Sequence, residues 1–499
     1  MDQKAGRPSS LDEIWADDVL GRRVDAEFLI RFLLGHIAER GESGVPQSYV
    51  LNLDAAWGHG KTFFLQRLQR SLQTAGYWVA LINAWQDDHA ADPLVAVMSA
   101  VDEVFAPGLG ARGTATKKLK QLKGTAAAVV IAGAKGAAKH WIRKGIGGEG
   151  WDNVLETLDV EKGGGATATV DGIANELGGM IDQRAKQLLD GFREGQRSIK
   201  TFRTQLGEFL AAVSTKQGKL PLFILVDELD RCRPPYAIAL LERVKHLFDI
   251  DNVVFVVATD SGQLRHAINA VYGAGFDSQR YLLRFFDRTY VFEAPKFAPY
   301  LELLLRKIDS KALSLPPSES ASTFISAAFE MFDLSLRDAE QCIDILRSIV
   351  TTWNVDTRIE LAVLLPLVIA HQRGLEARLD DRFIAEMKIL FVNPTAWVVK
   401  FPGAREFNVG AGAQEERDVS VLGFDLFSAF VRALNHSMPK QLENNPRTQP
   451  ERWVNSRIFE EYADLHQARH DHKKPPPSSV ILQYPLMVRS AGRLIPAVQ

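Results

Sequence analysis

The sequence predicts an α/β fold built on a parallel sheet, and three observations predict it. Residues 48–53 form an apolar run that leads into the glycine-containing stretch 55–62. Residues 220–226 form a second apolar run, which ends in the carboxylates of Asp227 and Glu228. Between and after these runs, segments of strand length alternate with segments of helical periodicity. This alternation is typical of parallel strands that helices cover on both faces.

The stretch 55–62 reads Ala-Ala-Trp-Gly-His-Gly-Lys-Thr and departs from the phosphate-loop pattern G-x-x-x-x-G-K-[ST] only at Ala55. In that pattern the backbone N–H groups converge on phosphate oxygens, the lysine reaches the terminal phosphates and the hydroxyl ligates Mg²⁺. Ala55 would weaken nucleotide binding if its position required a positive φ. The residues expected to contact the nucleotide are Trp57, Gly58, His59, Gly60, Lys61, Thr62 and Phe63.

The two carboxylates after the second apolar run complete the predicted site. Phosphoryl transfer requires positioning and neutralisation of charge, and a metal-binding acid and a base supply what the loop lacks. We expect Thr62 and Asp227 to hold Mg²⁺, Glu228 to orient and deprotonate the attacking water, and Lys61 to assist catalysis. The predicted cofactors are ATP and Mg²⁺.

The residues Asp227–Pro234, Asp-Glu-Leu-Asp-Arg-Cys-Arg-Pro, resemble the signature of the KAP family of P-loop NTPases. Trp57 and the segment Ile82–Trp85 fit the same family, although the family commonly has aspartate where this chain has Glu228. The resemblance implies an additional-strand P-loop ATPase, linked to phage exclusion, defence or membrane-associated signalling. It also implies that the segment from Asp18 to Arg22 lies against the adenine.

Further residues are expected to sense the γ-phosphate. Asp260 follows an apolar strand, where the fold implies a sensor, but it also suits the N-cap of a helix over 261–270. A basic stretch carries Arg280, Arg284 and Arg288, which either reach a neighbouring subunit's γ-phosphate, with Arg284 as the finger, or decorate a helix face. Arg337 resembles the sensor-2 arginine of a helical lid.

The length and pattern predict several domains. The nucleotide-binding core is expected at 10–107 and 195–298, an insertion at 108–194, a helical lid at 299–375 and a C-terminal accessory domain at 376–499. The accessory domain is rich in phenylalanine and carries no nuclease, protease or zinc pattern. Its three clustered histidines have no cysteine beside them. We expect this domain to mediate self-association or partner binding. The histidines are His466, His470 and His472.

The insertion begins with a basic stretch, because residues 105–148 contain nine lysines and arginines and no acidic residue. Within it, residues 124–134 are apolar and uncharged, which predicts a short helix. Eleven residues cannot cross a bilayer, which requires about 20. The region 112–144 therefore either docks on nucleic acid or an anionic membrane surface, or covers the protein's own surface.

The composition indicates a globular chain, with 46% hydrophobic residues, a formal net charge of -2 and two cysteines. We expect a cytoplasmic protein, or one peripheral to a membrane, in which Cys232 is a core residue and Trp85 packs and does not stack on a base. Three functions remain open. The protein is an ATP-driven switch or assembly platform, a nucleic-acid-stimulated motor or clamp, or a weakly active nucleotide-binding scaffold.

Overall fold

The computed structural model forms two compact units. The first contains the chain up to residue 56 together with 60–292, and the second contains 57–59 and the chain from 293 onward. The boundaries that the sequence predicts for the insertion, the lid and the accessory domain stay predictions. The residues that the structure describes are 10–90, 92–106, 113–145, 197–213, 218–247, 250–293, 296–405, 416–434, 448–467 and 478–493.

The first unit is built on a five-stranded sheet. Its strands are β1 (Ser48–Asp54), β2 (Tyr77–Asn83), β3 (Lys219–Asp227), β4 (Val253–Thr259) and β5 (Arg288–Val291). Every pairing is parallel and the order is β2-β3-β4-β1-β5. The expected parallel sheet is thus confirmed, and β4 is an additional strand between the two strands that carry the phosphate loop and the paired carboxylates.

Helices cover both faces of this sheet. They are α1 (Leu11–Ile14), α2 (Arg22–Glu42), α3 (Lys61–Thr74), α4 (Pro93–Phe105), α5 (Thr114–Gly145), α6 (197–213), α7 (Pro234–Leu247), α8 (Ser261–Tyr272) and α9 (Ser278–Leu282). Alternate residues of each strand face opposite cores. Phe223 and Leu225 pack with α2 and α3, whereas Leu222 and Ile224 pack with α4 to α8. Two-sided burial explains why β3 is a continuous apolar run.

The basic insertion differs from the expectation in one respect. Residues 124–134 are not a short helix, because they lie inside the 32-residue helix α5. The apolar positions Leu119, Leu122, Ala126 and Val129 are spaced by three or four residues and are all buried in the first unit's core. That stripe extends the helix beyond the uncharged segment. The rest of the predicted insertion after α5, residues 146–194, lies outside the described residues.

The second unit is mainly helical. Its helices are α10 (Phe297–Leu305), α11 (Ala321–Met331), α12 (Leu336–Thr352), α13 (Leu361–Gln372), α14 (Asp381–Ile389), α15 (Gly423–Leu434), α16 (Gln449–Gln467) and α17 (Tyr484–Ala491). Its strands are the short parallel pair β6 (Leu313–Ser314) and β7 (Ile359–Glu360), and the antiparallel pair β8 (Val398–Arg405) and β9 (Glu416–Leu422).

Helix α13 is the centre of this unit. Every residue from Leu361 to Ala370 is buried, and α13 packs against α12, α15 and α17. A helix that is apolar on all sides requires such a cover. Among the described residues, no helix is long and apolar enough to cross a membrane.

The aromatic residues of the C-terminal region form part of the same core. Trp397, Phe401, Phe424, Phe427 and Phe430 are all buried. The Phe424 ring lies 5.3 Å from the Phe427 ring, and the Trp397 ring lies 5.1 Å from that of Phe324 on α11. Their phenylalanine-rich pattern therefore reflects packing. Phe407 and the side chains of the three clustered histidines lie outside the described residues.

Candidate nucleotide site

The phosphate loop joins β1 to α3 in the first unit, with its tip, residues 57–59, grouped with the second. Gly60 has a φ of 81° and precedes the first residue of α3, and Gly58 has a φ of 80°. Both conformations favour glycine. Ala55 is buried, has no positive φ and donates its N–H to the Thr259 carbonyl over 3.1 Å. The departure from glycine at this position therefore causes no backbone strain.

Lys61 opens helix α3 and its ammonium turns back into the loop. Nζ donates to the carbonyl oxygen of Ala55 at 2.5 Å and to that of Ala56 at 3.4 Å. Burial lowers the pKa of Lys61, and neighbouring carboxylates oppose that shift. A partly desolvated cation interacts more strongly with a phosphate than one in bulk water does, and the carboxylates keep Lys61 charged. These carboxylates belong to Asp230, Asp260, Asp227 and Asp54.

Asp227 ends strand β3 and faces the start of α3. Its carboxylate accepts hydrogen bonds from the Thr62 hydroxyl and, at 2.9 Å, from the Glu228 N–H. Burial raises the pKa of Asp227, while the Thr62 hydrogen bond and the Lys61 charge act in the opposite direction. An aspartate and a threonine hydroxyl in contact fit Mg²⁺, which is usually held by few protein ligands together with phosphates and water. The residues present therefore suit the predicted ion.

Glu228 adopts a left-handed backbone conformation with a φ of 58°. Residues other than glycine, asparagine and aspartate seldom adopt it, and such strain is concentrated at functional sites. The Glu228 Oε1 lies 2.7 Å from Arg231 Nη1, and Oε2 accepts a hydrogen bond of 2.9 Å from Asn83 Nδ2. The predicted base is thus held by two donors, neither of which the sequence analysis singled out as a site residue.

Asp230 is a third acid of this loop that the sequence analysis did not assign to the site. Asp230 lies in the short 3₁₀ turn Leu229–Arg231 and is buried. Of the carboxylates that raise the pKa of Lys61, Asp230 has the largest effect. The signal was present in the sequence, since Asp230 follows the paired carboxylates within three residues.

A buried polar network joins the ends of β1 and β4. Asn52 is 2% exposed, accepts a hydrogen bond of 2.7 Å from the Thr259 hydroxyl and donates one of 3.0 Å to Ser261 Oγ. Asp54 accepts from the Ser261 N–H at 2.8 Å. An asparagine inside an apolar strand was the sequence signal for this network, because buried polar groups require partners.

Asp260 is the N-cap of helix α8, since its side chain accepts from the Gln263 N–H at 3.1 Å. The N-cap alternative is thus confirmed, and a sensing role stays a prediction. Asp18 accepts hydrogen bonds from the N–H groups of Arg22 and Arg23, and the buried Arg22 guanidinium lies 4.1 Å from the Phe292 ring. These contacts give the segment a structural role, and its predicted contact with adenine stays a prediction.

The loop after β2 is tied to the loop after β3. Asp88 accepts hydrogen bonds from the Arg233 N–H at 2.8 Å and from Arg233 Nε at 2.9 Å. Trp85, in the same loop, is 54% exposed, and its ring lies 5.8 Å from the Arg231 guanidinium carbon. Trp85 is therefore not a core residue, and the expectation that it packs and does not stack on a base stays a prediction. An exposed strand-end tryptophan cannot be distinguished from a buried one by local sequence.

Cys232 is buried in the same loop, and burial raises the pKa of its thiol to about 12. Its expected role as a core residue is confirmed. The arginines at 280, 284 and 288 are all exposed in the first unit. The structure brings none of them into a described contact with Lys61 or Glu228, and their roles stay predictions.

Residues 57–59 group with the second unit, and Trp57 is 44% exposed. Within that unit, a Cβ added at Gly58 would lie 2.9 Å from Ser335 Oγ and 3.0 Å from Arg337 Cβ. Gly58 is therefore restricted both by its φ and by its neighbours. Arg337 is exposed at the start of α12, and its proposed sensing of nucleotide stays a prediction.

The model of one known family, the KAP family P-loop domain, matches residues 41–288. This range contains the phosphate loop and the paired carboxylates. The resemblance inferred from Asp227–Pro234 is thereby confirmed. No curated protein matches the chain.

Proposed function

We propose that this protein, which carries a KAP family P-loop domain, binds ATP with Mg²⁺, hydrolyses it, and acts as a nucleotide-driven switch or assembly platform. The observation that carries the proposal is the convergence of Lys61, Thr62 and Asp227 at the ends of neighbouring elements. Lys61 and Thr62 are adjacent and Asp227 lies 165 positions after Thr62, and together the three side chains supply the charge and the metal ligands that a triphosphate requires.

The chain's own residues have distinct tasks in this proposal. The N–H groups of the loop and the N-terminus of α3 bind phosphate oxygens, and Lys61 neutralises charge at the terminal phosphates. Thr62 and Asp227 would hold Mg²⁺, which supplies further neutralisation of phosphate charge when bound. Glu228 orients a water molecule, which attacks the γ-phosphorus and gives a proton to the carboxylate. The bond to the bridging oxygen breaks, and ADP leaves with the electron pair.

A weakly active scaffold is the least favoured of the three functions. Its main support was Ala55, and Ala55 causes no backbone strain. The proposed catalytic base is also present, since Glu228 follows Asp227 directly. We therefore favour turnover over binding alone.

The decisive experiment measures ATP binding and single-turnover hydrolysis for two variants. Lys61→Ala should abolish binding, because it removes the main cation of the loop. Glu228→Gln should bind ATP as the wild type does and lose turnover by at least about a hundredfold, in line with the loss of a catalytic group. Glu103→Gln, an exposed acid on α4, is the control for the amide substitution. Wild-type turnover in Glu228→Gln would remove the base from the proposal.

Self-association through a trans arginine forms the assembly part of the proposal. Arg284 is exposed and belongs to the segment that leads into β5. Specific ATPase activity should rise with protein concentration if Arg284 serves a neighbouring copy, and Arg284→Ala should remove that rise. Activity that stays constant over a hundredfold dilution, with a monomer seen by light scattering in ATP, would exclude it.

A nucleic-acid-stimulated ATPase is the second candidate, favoured by the exposed Lys117 and Lys120 on α5. Other lysines of this helix form ion pairs within the unit, Lys118 with Glu208 at 3.1 Å and Lys123 with Asp102 at 2.5 Å. Stimulation by DNA, RNA or anionic liposomes that falls steeply with salt and is lost in Lys117→Glu/Lys120→Glu would support it. Equal ATPase rates with and without all three additives at low salt would exclude it.

The biological setting is proposed from the family resemblance alone. In a bacterial host, the wild-type protein should lower phage plating efficiency if it acts in antiphage defence, and Lys61→Ala should restore plating. Equal plating with both proteins at matched expression would exclude that setting.

A further inference from the structure

The carboxylate of Glu228 has both oxygens engaged by side chains of its own unit. Oε1 pairs with Arg231 Nη1 at 2.7 Å, and Oε2 accepts from Asn83 Nδ2 at 2.9 Å. The Glu228 side chain is 16% exposed, so few other groups compete for these oxygens. A general base must present a free lone pair within hydrogen-bond reach of the attacking water, and two donors fix the direction in which the remaining lone pairs point. The arrangement therefore restrains the group that the proposed hydrolysis uses.

Asn83 is oriented as a donor by its other contact. Its Oδ1 accepts from the Gln86 N–H at 3.1 Å. A backbone N–H can only donate, so the amide oxygen must face Gln86 and the amide nitrogen must face Glu228. The position of Asn83 is fixed in turn by strand β2, which pairs Asn83 with Asp227 on β3. The strand pairing therefore fixes the backbone position of this donor.

Arg231 is placed by the turn that follows Glu228. The Arg231 N–H donates to the Glu228 carbonyl at 3.2 Å, which puts the two side chains on the same side of the turn. The guanidinium is 31% exposed and lies 5.8 Å from the ring of the exposed Trp85. One side of this cation thus faces the base, while another part is accessible from solvent. Arg231 can leave Glu228 without disturbing a buried core.

We propose that Arg231 and Asn83 are positioning residues that form a latch on Glu228, and that release of this latch raises the rate of hydrolysis. The inference rests on the proposed function, because it assigns a control to the same base. The ion pair with Arg231 and the hydrogen bond from Asn83 must both break before the carboxylate turns. The fraction of molecules with a free base is reduced accordingly.

The experiment compares single-turnover hydrolysis at saturating ATP with ATP affinity measured separately. Arg231→Met keeps the length of the side chain and removes the charge, and we expect the rate to rise about fivefold with ATP affinity unchanged, as for the loss of one partly exposed ion pair. Arg231→Lys should keep a rate within about twofold of wild type, since the ammonium still reaches a carboxylate. Arg265→Ala, an exposed arginine on α8, is the control and should change nothing.

Two further variants keep the test valid if Arg231→Met does not fold. Asn83→Ala removes the second donor and should raise the rate by about two- to threefold. Asn83→Asp keeps the acceptor for Gln86 and repels Glu228, so it should raise the rate at least as much. Both gains should vanish when combined with Glu228→Gln, because a latch has no effect without its base.

The outcomes separate the latch from the proposed function. If Glu228→Gln turns over ATP at the wild-type rate, the base and the latch both fail. If Glu228→Gln is inactive but the folded Arg231 and Asn83 variants, with unchanged ATP affinity, hydrolyse ATP at or below the wild-type rate, the base stands and the latch is overturned. A rate increase that persists in the Glu228→Gln background would also overturn it.

Discussion

Buried carboxylates occur in both units, and their surroundings differ. In the second unit, Glu360 and Glu461 are 3% and 8% exposed, and each is enclosed by partners of that unit. Glu360 Oε1 lies 2.7 Å from Arg457 Nη2, whereas Glu461 accepts from Ser479 Oγ at 2.6 Å and from the Val480 N–H at 2.7 Å. In the first unit, Asp227 is as deeply buried but contacts the exposed Thr62 beside the glycines of the loop.

The comparison shows that burial of charge does not by itself mark a functional site. Burial raises the pKa of Asp227 and of Glu461 alike. The neighbours of the two carboxylates differ. Asp227 lies beside a threonine hydroxyl and a lysine that can still bind a ligand, whereas Glu461 lies beside backbone N–H groups whose hydrogen bonds are already made. The same carboxylate-to-amide change should therefore alter activity in the first unit and stability in the second.

Asp227→Asn should have the largest effect. Because an amide is a poor ligand for Mg²⁺, ATP turnover should fall by at least about a hundredfold. The thermal midpoint should fall little, because the amide oxygen can still accept from the Glu228 N–H and the change removes a charge whose burial is unfavourable. Steady-state ATPase assays over a range of Mg²⁺ concentrations, with thermal unfolding as the companion measurement, check this. Turnover near the wild-type rate would mean that Asp227 is no more than a structural acid like Glu461.

Glu461→Gln should lower the free energy of unfolding of the second unit by about 1 kcal/mol, because the amide has a single acceptor oxygen and can accept from the Val480 N–H or from Ser479 but not from both. Denaturant unfolding measures this. Asp464→Asn, an exposed neighbour on α16, is the control and should change stability by less than about 0.5 kcal/mol. Equal effects of the two variants would show that the buried contacts contribute little.

The pH dependence of stability should distinguish Glu461 from an ordinary surface acid. Burial raises the pKa of Glu461 above 4.5 in the folded state, so the unfolded chain loses this proton at a lower pH than the folded chain does. The contribution of the group is thus fully present below 4.5 and is lost as pH rises through the raised value. Unfolding measured from pH 4 to 7 should show a shallower fall in Glu461→Gln than in wild type. Parallel curves would contradict the raised pKa.

A buried carboxylate could be assigned a role from the sequence only where the residues that determine its role lie close to it in the chain. Lys61, Thr62, Asp227 and Glu228 could be predicted because each lies in a local motif whose chemistry dictates its spacing. Glu360 and Glu461 could not, since they lie about 100 positions apart and neither has a motif. The same holds for Asn83 on Glu228, where the partner is 145 residues away.

The same distinction between local signals and contacts distant in the sequence applies to the fold. The strands and most helices could be predicted within a few residues, because apolar periodicity is local. The extent of α5 could not be predicted from its uncharged segment, because the stripe from Leu119 to Val129 is recognisable only with the core it packs against. The exposure of Trp85 likewise depends on the surrounding elements.

Substitution of Asp260 should have the smallest effect of these changes. It tests whether this residue of the first unit is only a helix N-cap or also a γ-phosphate sensor. Asp260→Ala should lower stability by about 1 kcal/mol through loss of the N-cap, whereas Asp260→Asn, also a good cap, should not. Comparing turnover in these two variants separates the alternatives. Turnover lost in Asp260→Asn at unchanged stability would support a γ-phosphate sensor, and turnover that stays at the wild-type level would leave only the cap.

The pair formed by Asp88 and Arg233 has a consequence for how this protein can vary over evolution. The Asp88 side chain is 12% exposed and also accepts from the Arg233 backbone N–H, a bond that every residue except proline could make at 233. The Arg233 side chain is 66% exposed, so its loss would leave Asp88 with a partner and with access to water. Substitutions should therefore accumulate at position 233, whereas position 88 should keep a residue with a short side chain that accepts hydrogen bonds. Two residues in one ion pair would then show very different tolerances to change.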